Sequence, residues 1–334
     1  MFLLASGARA QVPEGVFSIA NKDKQPQNEV LSNPNVDGIT IRQDWAKLEP
    51  SEGNFDFSYL DSAVNASAAA GKQVLLRIGT QVGKPAWVTT AVKNAKGKFF
   101  NFTQSGVQMS IPVFWDPTYL AKKKAMIAAL GKHFTKNSAV TIVCCSFANA
   151  VSEDWNVPHT PDYVTTWLSL GYTTGKMLDA GEQIIDATMA AFPNQYVNMA
   201  ISGDGHLNNG LNLDPTATYL AAAVIDYANK TWSNRLVVQI NSLSTFIPGA
   251  PATADSAWNL LWNSQPNVAA QMVYQCVNDP TYRANGGKKI DPGTALSLSV
   301  DNGLEYNLKY IEIYQIDAVN LTTVISSAHR SLTN

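Results

Sequence analysis

Eight times between Val16 and Leu332 the chain passes from a short extended run to a helical one, and that alternation restricts it to parallel strands joined by helices. The extended runs are Val16 to Ala20, Gly38 to Asp44, Gln73 to Gly79, Ala139 to Ala148, Tyr196 to Ser202, Arg235 to Ser242, Val268 to Cys276 and Tyr310 to Asp317. The helical runs begin at Asn28, at Asp56 or Ser58, at Tyr119, Asp162, Ala217, Ser256, Thr294 and Thr322, with a break expected between Gly171 and Gly175. Eight such units fit a closed (β/α)8 TIM barrel better than an open sheet, and no G-x-G-x-x-G or P-loop interrupts the count. At 334 residues without a dividing linker, the chain is expected to form one domain over residues 11–334.

Strand polarity says where chemistry can sit. In GITIRQD, Ile39 and Ile41 share one face, and Thr40, Arg42 and Asp44 share the other. In a barrel the aliphatic face packs under helices and the polar face lines the interior, so Arg42 and Asp44 are expected inside at the carboxyl end. The same alternation puts Gln73, Leu75 and Arg77 inward on strand three, Gln239 and Asn241 on strand six, and Tyr310, Glu312 and Tyr314 on strand eight.

Charge is balanced, with 24 Lys+Arg against 26 Asp+Glu, so there is no electrostatic footprint for nucleic acid or a membrane surface. The opening MFLLASGARAQ reads as the remnant of a secretory signal over residues 1–10, with Ala8-Arg9-Ala10 as the cleavage pattern. It is too short to span a bilayer, and it implies a secreted or periplasmic protein. Cys144 and Cys145 are neighbours on one strand and Cys276 stands apart, so all three read as core residues. Neither His159 nor His206 has a companion at metal-ligand spacing, so no metal or other cofactor is expected. There is no G-x-S-x-G elbow.

The loop after strand two, WAKLEPSEGNFDFSYLD, resembles that of retaining (β/α)8 glycoside hydrolases of the β-galactosidase-like clan. There a Trp, an EP, a Gly and an aromatic-Asp pair precede a helix that opens with Leu-Asp. P-A-W after strand three and P-V-F-W-D-P before the next helix resemble the same clan, in which such aromatics line the sugar cleft. The resemblance implies a carbohydrate-active hydrolase whose substrate is an oligo- or polysaccharide. It implies an acid/base Glu after an Asn at the end of strand four, and a nucleophilic Glu at the end of strand seven. This sequence departs from both. Asn149 is followed by Ala150, and the nearest carboxyl is Glu153, with Asp154 beside it; strand seven carries Gln271 and Gln275 and no Glu.

Two expectations follow. In one, the chain is a glycoside hydrolase with Glu153 as acid/base and the inward Glu312 as nucleophile, Glu312 having as its alternative a buried salt bridge to Arg42 or Arg77. In the other, it is an inactive carbohydrate-binding or scaffold protein that keeps the barrel and has lost the carboxylate pair. For either, the sugar-contacting candidates are Arg42, Asp44, Trp45, Arg77, Trp87, Trp115, Asn149, His206, Gln239, Gln275 and Tyr314.

Overall fold

The computed structural model describes residues 11–104, 106–147, 155, 161–202, 206–207, 213–214, 219–232, 234–253 and 256–334. Eight parallel strands close into one barrel in which each strand pairs with its neighbours in sequence and the last pairs with the first. They are β1 (Gly15–Ile19), β2 (Gly38–Asp44), β3 (Gln73–Gly79), β4 (Val140–Cys144), β5 (Tyr196–Ile201), β6 (Leu236–Leu243), β7 (Val268–Met272) and β8 (Tyr310–Tyr314). Each is followed by a helix: α1 (Asn28–Leu31), α2 (Ser58–Ala69), α3 (Pro117–Phe134), α4 (Thr174–Ala191), α5 (Tyr219–Trp232), α6 (Ala257–Asn263), α7 (Pro292–Leu304) and α8 (Thr322–Thr333). The expected (β/α)8 fold is the fold observed. The signal-like stretch 1–10 lies outside the described residues.

Four helices, α3, α4, α6 and α7, start on a capping side chain. Asp116 accepts the Tyr119 N–H at 2.8 Å with Pro117 as first helical residue, and Asp291 does the same for Thr294 at 3.0 Å with Pro292. A Pro there gives up an N–H that has no intrahelical partner anyway. Thr173 and Ser256 cap α4 and α6.

Alternation sorts the strand side chains as expected. Ile39, Ile41, Val74, Leu76, Val143 and Cys145 join the outer core between barrel and helices. Phe17, Leu75, Ile142, Cys144, Val237, Ala269 and Tyr310 form a separate apolar plug inside the barrel. Gly38 is part of that plug by default: a Cβ there would stand 2.3 Å from the Phe17 ring, which is itself tilted against Tyr310 at 4.9 Å.

Three expectations are corrected. β7 stops at Met272 and β8 at Tyr314, because the chain turns into a loop and into a helix over Gln315–Asn320. Gln275 is therefore a loop residue, not a strand residue. The long connection from Thr80 to Pro117 carries a helix, Ala86–Asn94, and an antiparallel hairpin of Phe99–Gln104 with Val107–Pro112. Phe100 of that hairpin lies flat on Trp167 at 3.9 Å, which covers the apolar side of the short helix Pro161–Ser169.

Candidate functional site

Above the apolar plug the barrel interior turns polar in two layers. In the lower one, Asn198 of β5 donates to Gln239 of β6 at 2.8 Å and to the Tyr310 hydroxyl at 2.7 Å, and that hydroxyl in turn donates to Gln239 at 3.0 Å. Burial, then the Glu312 carboxylate, pushes the Tyr310 phenol well above its ordinary range, so it stays a neutral donor.

The upper layer is built around Glu312. One carboxylate oxygen accepts the Thr40 hydroxyl; the other accepts Arg77 Nη2 at 2.6 Å and the Gln239 amide. Arg77 Nη1 reaches the Gln271 side-chain oxygen at 2.7 Å. Glu312 is 0 % exposed and Arg77 is 2 % exposed, so β2, β3, β6, β7 and β8 are tied together by one enclosed ion pair and its amides. A buried pair of this kind depends on how many of its remaining lone pairs and N–H groups are satisfied: Thr40 and Gln239 serve the Glu312 oxygens, and Gln271 serves Arg77 Nη1.

This geometry corrects the expected roles of four residues. Glu312 has both oxygens committed and no exposed surface, so it holds the barrel together and cannot reach an anomeric carbon. Arg77 is its counter-ion and Gln239, 0 % exposed, is its amide donor; neither can touch a sugar. Trp45 is also fully enclosed, donating to Glu49 at 2.7 Å with its ring edge-on to Trp87.

The other candidates stand at or near the carboxyl ends of the strands. Arg42 is half-buried, its Nε donating to the Ala20 carbonyl at 3.2 Å. Asp44 is half-buried and receives Lys22 at 2.8 Å. Tyr314 is half-buried; its phenol is raised chiefly by burial, with Arg42, Arg77 and a hydrogen bond to Gln271 acting the other way. Gln275 contacts the Asn278 carbonyl at 3.5 Å. Trp87 donates to the Glu49 carbonyl at 3.0 Å, and Trp115 packs on Trp167 and Tyr172. Neither Trp is among the residues that line the cavity of about 630 Å³ at the opposite, amino-terminal end of the barrel. Asn149, Glu153 and the side chain of His206 lie outside the described residues. Trp155, two residues beyond Glu153, is buried, with its backbone N–H on the Ala200 carbonyl at 2.8 Å and its indole N–H on the Cys145 carbonyl at 2.9 Å. It fixes the chain at the carboxyl ends of β4 and β5.

Sequence reasoning passed over Asp317. Its carboxylate is 0 % exposed and accepts the backbone N–H groups of Cys276 and Val277 at 2.8 and 2.7 Å, pinning the loop after β7 to the helix after β8. Burial, aided by Asp279, raises its pKa from 3.8 to about 6 against the pull of those N–H groups. A raised carboxyl pKa means that the folded state binds the proton more tightly than the unfolded one. Stability from this group therefore increases as pH falls from about 6 towards 4, by roughly 3 kcal/mol in all. In thermal melts, wild type should gain on Asp317→Asn between pH 7 and pH 4.5; a gap moving the other way would mean that the N–H groups hold the carboxylate ionised.

Among the described residues no three His, Cys, Asp or Glu side chains are grouped to hold a metal ion, and no described helix is long and apolar enough to cross a membrane.

Comparison with known proteins matches residues 21–174 to a family described as β-galactosidase. No curated protein matches the chain. Among solved structures, the β-amylase catalytic domain from Paenibacillus polymyxa superposes with a TM-score of 0.62 at 11% identity, covering 95% of this chain and 100% of that one. A β-galactosidase from the psychrophilic Marinomonas ef1 gives 0.55 at 10% identity, over 90% of this chain and 53% of its own length. Xylanase 10B from Thermotoga maritima gives 0.51 at 11% identity, over 90% and 82%. The chain thus spans about half the length of that β-galactosidase and the whole of the β-amylase domain.

Proposed function

We propose, from the premise that the chain belongs to the β-galactosidase-like clan of (β/α)8 glycoside hydrolases, that it cleaves a glycosidic bond of an oligo- or polysaccharide with Glu153 as proton donor. The observation that carries this reading is the extent of the family match: residues 21–174 take in β2 to β4 and the stretch with Glu153. Trp155 supports it by anchoring the chain two residues further on.

The eight strands bear two acidic residues, Glu312 and Asp44. Glu312 is enclosed, so the partner carboxylate in this reading is Asp44, half-buried at the end of β2. Hydrolysis then requires Glu153 to protonate the leaving oxygen while a carboxylate on the opposite side either attacks the anomeric carbon or takes a proton from the attacking water. Arg77, held by Glu312, orients Gln271 beneath Tyr314 and fixes the floor on which a sugar would rest.

Hydrolysis of aryl glycosides with good and poor leaving groups tests the assignment. Glu153→Gln is expected to lose about 10²- to 10⁴-fold with poor leaving groups and far less with activated ones, since an activated phenol leaves without protonation. Equal losses on both would remove Glu153 from the acid role. A wild-type chain that binds saccharides yet hydrolyses none of them would establish the binding-protein reading instead.

A further inference from the structure

We propose that the amino-terminal end of the barrel carries a second saccharide site, separate from the reacting end, that takes a neutral oligosaccharide. The cavity of about 630 Å³ lies there because its walls are the first residues of three strands, Gln73 of β3, Val140 of β4 and Tyr196 of β5, together with the turns that lead into β4 and β5. That volume falls within the roughly 300–1,000 Å³ typical of small-molecule sites.

Its chemistry selects the ligand class. No carboxylate lines it, so nothing there attracts a cation. Of its two basic residues, Arg235 donates to the backbone carbonyls of Met189, Phe192 and Gln195 and clips β6 to the end of α4, while Lys136 is exposed. The rest of the lining is uncharged: amides and hydroxyls, among them Gln73, Asn137, Ser138, Thr141 and Asn194, the Tyr196 ring, and apolar surface from Pro13, Val140 and Pro193. The Gln73 side-chain amide has no hydrogen-bond partner among the described residues. Tyr196 is half-buried with part of its ring packed on the barrel's apolar plug, which gives a rigid apolar surface of the kind on which a sugar ring stacks. Uncharged donors and acceptors around one fixed aromatic ring match a polyhydroxylated ligand without charge.

The plug also isolates this cavity. Phe17, Leu75, Ile142 and Tyr310 fill the interior between it and the Arg77–Glu312 layer, so a molecule held below cannot be the one that reacts above. Such a site would retain a long saccharide on the protein while its other segments reach the carboxyl end. The choice of a saccharide rests on the hydrolase reading; the cavity and its neutral lining do not.

Hydrogen-exchange mass spectrometry on the full chain, with maltohexaose, xylohexaose and β-1,4-galactotetraose as probes, locates binding independently of turnover. At least one probe is expected to protect residues 135–141 and 193–196. Gln73→Ala combined with Asn137→Ala should weaken that protection about tenfold in probe concentration, and Ser138→Trp, which narrows the mouth from an exposed position, should abolish it. Hydrolysis of a short aryl glycoside should be unchanged in both. Protection confined to the carboxyl-end loops, protection that survives both variants, or protection by inorganic phosphate and by no saccharide would each overturn the proposal. Saccharide protection at this cavity in a chain that hydrolyses nothing would sink the hydrolase reading and leave this site standing.

Discussion

Replacing Glu312 with alanine is expected to unfold the barrel at temperatures where the wild type is intact. The substitution removes the acceptor of three buried donors, from Thr40, Arg77 and Gln239, and leaves the Arg77 guanidinium without its counter-ion in a place that water does not reach. Breaking a buried pair from one side costs about 3–5 kcal/mol, against a total stability of about 5–15 kcal/mol for a typical domain. Glu312→Gln keeps the shape and part of the hydrogen bonding yet still strands the positive charge, so it should fall between alanine and wild type. Removing both charges with Arg77→Met and Glu312→Leu should recover part of the loss, since an apolar pair can replace an ion pair. Recovery stays incomplete because Thr40, Gln239 and Gln271 then each lose a hydrogen bond to the pair. Urea unfolding midpoints measure the series. A Glu312→Gln chain with wild-type stability and no hydrolysis would reverse the conclusion and make Glu312 the nucleophile.

Gly38→Val should be the second severe change. Three Phe17 ring atoms lie 2.3–2.6 Å from where a Cβ would stand, and that ring is enclosed and braced by Tyr310. Overpacking of a filled interior costs about 1–3 kcal/mol. Here it strikes the register of β1 against β2, in which Gly38 and Phe17 are paired residues. Combining it with Phe17→Leu should restore most of the lost stability in thermal melts, because the shorter side chain vacates the space. Were the double variant no better than Gly38→Val alone, the contact would not be the cause.

The architecture could be read from residues because each barrel strand carries its own alternation. Thr40, Arg77, Gln239 and Glu312 all fall on the inward face that periodicity assigns, and the salt bridge between Glu312 and Arg77 was one of its two expected fates. What the alternation could not supply was depth. It separates inside from outside and says nothing of how far an inward side chain stands from the mouth, so Glu312 and Gln239 read as site residues when they lie one layer beneath it. Trp45 failed for a related reason: a Trp in a sugar-cleft motif looks the same whether its indole faces a ligand or, as here, Glu49 and Trp87. The hairpin in the third connection had a signal that went unused. Phe100 and Phe102 alternate, Gly106 takes a left-handed turn at φ 77°, and Met109 and Ile111 alternate after it. Asp317 had none, because the amides it holds belong to a loop about forty residues earlier.

The barrel's closure also sets the order in which this chain can be assembled. β1 finds one neighbour, β2, almost at once, but its other neighbour is β8, and Gly15 pairs with Tyr310 nearly three hundred residues later. While the chain is being synthesised, one edge of β1 therefore stays unpaired until nearly all of the barrel has emerged. An open edge of that kind is a template for pairing with another copy. Gly15 and Val16 stand on that edge, and in the finished fold the Val16 N–H bonds to Asp37, which also meets His329 of α8. Conditions that slow elongation or crowd nascent chains should thus lower the yield of soluble protein more than its finished stability would suggest.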